Sequence, residues 1–431
     1  MSVDAATAIE QAFADEWGRI VAGMIRRLGD WDLAEDCTQQ AFAEAARRWP
    51  REGVPSRPGA WLTIVARNRA LDRLRHDRMR DARLREAAFQ LGEQSFEEAD
   101  VTAPEADDGD DIEDDRLRLI FTCCHPALPL EGRVALTLRT LCGLTTVELA
   151  NAFVVPEATM AKRLVRAKHR IAGAGIPFRV PAAHLLPERT AGVLSVLYLL
   201  FNEGYAASTG SELIRVDLCV EAIRLARLLV ALMPDEPEAN GLLALMLFQH
   251  SRRSARADAA GDLLTLEEQD RSRWHGDEID EANAILDGSL SPDEVGPYRV
   301  QALIAACHAN SPDALSTDWH RIEALYGRLL EVTASPFVKL SHAVAVGMAG
   351  RLDTALVLVG ELSDVGELRD YHLLQATRGD LLRRLGRDGE AAEAYRAALG
   401  MARTGAERRY LTRRLAEVGG SPPEQTGASV I

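Results

Sequence analysis

Apolar residues recur along this chain at spacings of three and four, and turn residues break the pattern into helix-length pieces. In Trp61 to Arg85, WLTIVARNRALDRLRHDRMRDARLR, Leu62, Val65, Leu71 and Leu74 stand at helical spacing and predict a single amphipathic helix. Asp30 to Trp49 predicts the helix before it. Leu144 to Arg170, LTTVELANAFVVPEATMAKRLVRAKHR, predicts a helix, a tight turn and a second helix. Here Val147, Leu149 and Ala150 are expected to pack the first helix, Val154 and Val155 to lie near the turn, and Leu164 to anchor the second from within. Strand-length runs of β-branched residues are scarce and aromatics make up only 5% of the chain, so the pattern predicts an all-α fold.

Punctuation divides the 431 residues into parts. Residues 8–80 form a compact helical module with turn signals at Gly29-Asp30 and from Pro50 to Gly59. Residues 81–115 read as an acidic linker, and residues 116–175 as a second small module that ends in the helix, turn and helix. After the turn-rich stretch Gly173 to Pro181, residues 182–418 read as paired amphipathic helices, with a tail over 419–431. Gly379, Ala391, Tyr395 and Ala398, around the turn LGRDGE, fall at the small and aromatic positions of a tetratricopeptide-like pair. Placing Gly350-Arg351 on Gly386-Arg387 sets Ala343 on Gly379 and Ala355 on Ala391, a period of 36. Ala231 to Phe248 has the layout of a further unit. The whole reads as a degenerate helical solenoid.

Charge sharpens this division. The net charge of −15 is unevenly distributed: residues 81–115 carry 14 acidic and two basic side chains, whereas 116–180 carry ten basic and three acidic ones. The acidic linker reads either as a spacer or as a phosphate mimic that competes for the basic helices. From Arg67 to Arg85 eight arginines stand against three aspartates. The basic face of the second helix of Leu144 to Arg170 suits DNA: residues near a recognition helix's N-terminus meet base edges, and later cations meet phosphates. Thr159, Lys162 and Arg163 are thus the base-reading candidates, and Arg166, Lys168 and Arg170 the phosphate contacts. Asp32, Glu35, Asp36, Gln39 and Gln40 give the helix of Asp30 to Trp49 an acidic polar face, better suited to a protein partner than to DNA.

On these motifs, residues 8–80 and 116–172 resemble regions 2 and 4 of an extracytoplasmic-function sigma factor of the sigma-70 family. AEDCTQQAFAEAARRW resembles the helix that docks on the β′ clamp helices of RNA polymerase, which implies polymerase contact by Glu35, Asp36, Gln39, Gln40 and Phe42. PGAWLTIVARNRALDRLR resembles the segment that reads and melts the −10 element, with Arg67, Asn68, Asp72, Arg73 and Arg75 at its characteristic positions. The helix-turn-helix is implied to read the −35 element and touch the β flap; the chain departs from the usual pattern at Ala161-Lys162. LIFTCCHPALP, VLYLLFNEGYAAS, EQDRSRW and GPYRVQALIAACHA extend the resemblance to a subgroup with a long C-terminal tetratricopeptide-like domain, which implies control in cis through contacts of that domain with the sigma regions. The expectation is promoter-specific transcription initiation, with core RNA polymerase and promoter DNA as partners.

Other chemistries find little support. Six cysteines without paired spacing suit reduced thiols in a cytoplasmic protein, and Cys123, Cys124, His125 and Cys142 lack metal-ligand spacing, so no metal or cofactor is expected. No signal peptide or membrane span is read. Isolated histidines (His308, His342, His372) form no catalytic order, and an enzyme is not expected. Asn202, Glu203 and Tyr205 interrupt an apolar helix and read equally as a ligand pocket or interface and as helix termination at Gly204. The rival readings are a stand-alone helix-turn-helix regulator with a ligand-sensing solenoid, and a scaffold.

Overall fold

The computed structural model describes residues 5–90, 112–153, 155–205, 216–258, 262–288, 296–402 and 404–419. Among the described residues the regular structure is helical, with one isolated bridge between Ala257 and Leu263 and no strand. The chain divides into two compact units, Met1–Val196 and Leu197–Ile431. No described helix is long and apolar enough to cross a membrane.

The first unit holds α1 (Ala5–Leu28), α2 (Trp31–Glu52), α3 (Pro58–Gln90), α4 (Ile112–Cys123), α5 (Leu130–Cys142), α6 (Thr146–Ala152) and α7 (Glu157–Gly173), and α8 (Leu186–Tyr205) runs across the boundary. Asp30 caps α2 by accepting the Leu33 amide at 3.0 Å, which satisfies one of the amides a helix start leaves without a partner. Thr145 and Glu148 cap α6 reciprocally: the Thr145 amide donates to Glu148 at 2.7 Å and the Glu148 amide to Thr145 Oγ1 at 3.1 Å. The two ends of the expected linker are helical, since α3 continues to Gln90 and α4 starts at Ile112; the acidic stretch 91–111 lies outside the described residues.

Residues 8–80 and 116–175 lie in one compact unit. The joint is close. A Cβ at Gly18 of α1 would stand 2.8 Å from the Leu141 carbonyl of α5, and one at Gly143, which ends α5 at φ +75°, would overlap Phe13 and lie 3.0 Å from Trp17. Trp17 Nε1 donates to the Thr140 carbonyl at 3.1 Å, so the indole seals this contact without leaving its polar atom orphaned. Asp115 of α4 is buried between Arg26 of α1 and Arg118, each at 2.8 Å. Burial pushes its carboxyl above the usual range and the two guanidiniums pull against that rise.

The second unit holds α9 (Val216–Leu232), α10 (Pro237–Ser251), α11 (Gly276–Gly288), α12 (Pro297–Ala309), α13 (Trp319–Val332), α14 (Pro336–Met348), α15 (Leu352–Glu361), α16 (His372–Arg384), α17 (Asp388–Met401) and α18 (Gly405–Glu417). Helix α10 is apolar nearly all round and packs against α9, α11 and α12. Glu238 at its start accepts the Tyr298 and Arg299 amides at 2.8 and 3.1 Å, a carboxylate closing the N-terminus of α12. The 36-residue register is visible: α14 and α16 start at 336 and 372, α15 and α17 at 352 and 388, and the turns between them carry Gly350 at φ +94° and Gly386 at φ +71°. Ala343, Ala355 and Ala391 are fully buried, and Gly379 meets the ring of buried Tyr395, where a Cβ would come within 2.9 Å.

Gly379→Ala should therefore destabilise the protein by about 1–3 kcal/mol in urea denaturation, through overpacking against a ring with nowhere to go. Gly389→Ala, in open space on the same helix pair, should be neutral or stabilising by about 0.5–1 kcal/mol. Equal effects at the two glycines would contradict the packing described.

Candidate promoter and polymerase surfaces

The inner face of α2 is the stripe Ala34, Glu35, Cys37, Thr38, Ala41, Phe42, Ala45 and Trp49, all buried, while Asp36, Gln39 and Gln40 point to solvent. The five residues expected on one partner surface thus part company. Phe42 is a core residue, with ring centroids 5.1 Å from Phe13 and 6.0 Å from Trp17, and is not available to a partner here. Glu35 lies one heptad before Phe42 on the same inner face and is only 4% exposed. Its carboxylate accepts Arg139 Nε of α5 at 3.0 Å and pairs with Lys168 Nζ of α7 at 3.1 Å, while Lys168 also reaches Asp32 at 2.7 Å.

Helix α3 buries Leu62, Ala66 and Ala70. Leu71, expected on the apolar face, is exposed instead: the small alanines carry the close packing, and the stripe turns away before position 71. Arg67, Asn68, Asp72, Arg73 and Arg75 are all exposed, with Arg75 pairing loosely to Asp72 at 3.4 Å. Asp72, Arg73 and Arg75 line one 540 Å³ groove between α2 and α3, together with Asp36 and Gln40. The structure therefore brings residues expected to touch promoter and residues expected to touch polymerase to the walls of a single groove. Trp61, at half burial, meets Trp49 edge-on at 5.7 Å beside Arg48.

In α7, Met160, Leu164, Ala167 and Ile171 pack inward. Lys162, Arg166 and Arg170 fall on the opposite face and are exposed. Thr159 and Arg163 are half-buried, and Arg163 reaches Glu131 of α5 at 2.9 Å. Lys168 flanks the buried stripe, which is why it turns to α2 rather than to solvent. In α6, Leu149 and Ala150 are buried but Val147 is 49% exposed: a seven-residue helix offers its neighbours too few inward positions for all three. Val154 lies outside the described residues.

With this geometry in view, the comparisons decide the family. Residues 15–80, which span most of α1, all of α2 and the first part of α3, match Sigma-70 region 2. The chain belongs to the sigma-70 family. A sigma factor works by joining core RNA polymerase, and that role attaches to the first unit. Residues 189–290 match a family of unknown function, DUF6596. An uncharacterized protein of Rhizobium meliloti (strain 1021) is 41% identical over 416 residues, covering 96% of each chain.

The run of small residues at 34, 38, 41 and 45 is the signal that would turn Glu35 and Phe42 inward, and reading this helix as one polar partner face passes over it. A charged residue on such a stripe calls for a cation from elsewhere in the chain, and the structure supplies Arg139 and Lys168. Phe42→Ala should cost about 3–5 kcal/mol of stability by leaving a cavity in the ring cluster. Gln39→Ala should leave thermal unfolding within about 0.5 kcal/mol of the parent. A Phe42→Ala protein that melts normally but loses polymerase would restore Phe42 to the partner surface.

Proposed function

We propose that this sigma factor is of the extracytoplasmic-function type, reading the −10 element with α3 through Arg67, Asn68, Asp72, Arg73 and Arg75. In the same reading α7 reads the −35 element through Thr159, Lys162, Arg163, Arg166 and Lys168. Polymerase is held by the solvent face of α2, at Asp36, Gln39 and Gln40, and by a β-flap contact of the region 4 module. The second unit acts as a tetratricopeptide-like regulatory domain in cis. The observation that carries this is the match to region 2 on helices whose exposed cationic face and exposed polar face share one groove. No bond chemistry is asked of the chain; the polymerase supplies it. Arginine suits the promoter role because its fork pairs with base edges and phosphates whatever the pH.

The ion pairs between α2 and α7 add a constraint. Lys168 belongs to the proposed −35 surface and Asp32 and Glu35 to the acidic helix, so in the described conformation these surfaces partly neutralise one another. Binding polymerase and promoter together then requires α7 to leave α2. Separation is not prohibitive, because Lys168 and Asp32 return to water and Glu35 keeps Arg139 as its partner.

Run-off transcription with purified core polymerase and a promoter selected from a random library tests the reading. The full chain should direct initiation from the selected site. Binding to DNA without initiation at any selected site would favour the stand-alone regulator. Asp32→Lys, which sets like charges against each other, should tighten binding to core polymerase several-fold at low salt, and the gain should fade as salt is raised. Unchanged affinity in Asp32→Lys would show that the contact does not restrain polymerase binding. Arg163→Ala should weaken −35 binding by about 1–3 kcal/mol if it reads a base; equal losses on every DNA sequence would make it a phosphate contact.

A further inference from the structure

Three strings far apart in sequence, VLYLLFNEGYAAS, EQDRSRW and GPYRVQALIAACHA, send side chains to one place in the second unit. Tyr205 comes from the end of α8, Arg271 and Trp274 from the turn before α11, and His308 from the end of α12; Arg252, just past α10, and Arg256, after the short 3-10 turn that follows, join them. Rings and cations alternate there. The Arg256 guanidinium lies 3.6 Å over the Tyr205 ring, Arg252 stands 5.8 Å from both Tyr205 and Trp274, and Arg271 stands 5.1 Å over Trp274. Tyr205, Arg252 and Arg271 are half-buried and so open to solvent, whereas Arg256 and Trp274 are buried.

None of the three arginines forms an ion pair among the described residues, although the neighbouring Arg253 pairs with Glu278 at 2.8 Å. Two have partial compensation from the negative ends of helices. Arg256 donates to the Tyr205 carbonyl closing α8, and Arg271 donates to the His308 and Ser311 carbonyls at 2.6 and 2.7 Å and to Thr317 Oγ1 at 3.0 Å. Asp313 acts on Arg271 from farther off. Among the described residues Arg252, in the middle, has only the Tyr205 hydroxyl and the Gln249 amide oxygen, both neutral. The positive potential is felt by the neighbours: burial, with Arg252 and Arg271 adding to it, pulls the His308 imidazole down to about 4. Arg271 Nε and Trp274 Nε1 are buried donors with no hydrogen-bond partner.

We propose that this row is a binding site for a small phosphate-bearing anion. Three guanidiniums outweigh a single carboxylate, whereas a phosphate group brings close to two negative charges and three acceptor oxygens near neutral pH. The planar fork of Arg252 suits it, and the unpaired Arg271 and Trp274 donors extend the set. Five of the six residues lie within 189–290, so the site would give the domain of unknown function a ligand class. The inference is independent of the promoter reading.

Isothermal titration of the full chain with inorganic phosphate, pyrophosphate and citrate at matched ionic strength tests it, alongside thermal melts in each. Phosphate or pyrophosphate should bind saturably and raise Tm. Arg252→Gln should weaken binding about ten-fold through loss of the charge-assisted fork, while Arg253→Gln should leave it unchanged. If Arg252→Gln fails to fold, Arg252→Lys, which keeps the charge but not the fork, should fold and bind with a smaller loss. Absence of saturable binding, equal affinity in the parent and a folded Arg252 variant, or capture of citrate in preference to both phosphates would each overturn the proposal.

Discussion

The Glu35 carboxylate is the constraint on which the first unit turns. It sits on the inner stripe of α2, where a charge would be costly unless cations came to meet it, and Arg139 and Lys168 do so from α5 and α7. Arg139 also donates to the Leu144 carbonyl at 3.0 Å, so the residue that answers Glu35 also fixes the chain as it leaves α5 for α6. One buried acid thereby couples the helices that match region 2 to the helix, turn and helix that follow. The Gly18 and Gly143 approaches and the Trp17 hydrogen bond supply the close packing, and the ion pairs supply its register.

Packing of small residues and pairing of charges hold different parts of this contact, and they respond differently to conditions. The α1–α5 crossing buries rings against backbone and is little affected by salt. The Lys168–Asp32 pair, with Asp32 largely exposed, is a surface ion pair that salt weakens. Any loosening driven by charge therefore begins at α7, the helix proposed to read DNA, while α5 stays seated on α1. Such an arrangement lets α7 move without unfolding the core that carries it.

Helix content and the 36-residue repeat were legible because both depend on local periodicity, and equivalent helix starts in the repeat differ by 36 residues as the alignment of Gly350 with Gly386 implies. The exposure of Arg67, Arg69, Arg73 and Arg75 on α3 was legible for the same reason. Less legible was what depends on contacts distant in sequence. Glu35 looks solvated from its neighbours Asp32 and Asp36, yet its partners lie 104 and more residues away. Lys168 looks like one more cation on a basic face until Leu164, Ala167 and Ile171 are seen to bury the side next to it. Phe42 follows a polar run, and only the alanines around it reveal the inner stripe.

The same limit explains the arginines of the second unit. Arg252 and Arg253 are adjacent and identical in type, and nothing local separates them; one meets Glu278, while the other stands between two rings with neutral partners. Helix ends, which local sequence does reveal, account for Arg256 and Arg271, whose donors close α8 and α12. They do not account for Arg252. A guanidinium kept at the centre of a cationic row, in a chain with acid to spare, is more economically explained by an anion that comes from outside the chain than by stability. Replacing it with a neutral side chain of similar size would relieve repulsion toward Arg256 and Arg271 at little loss of packing.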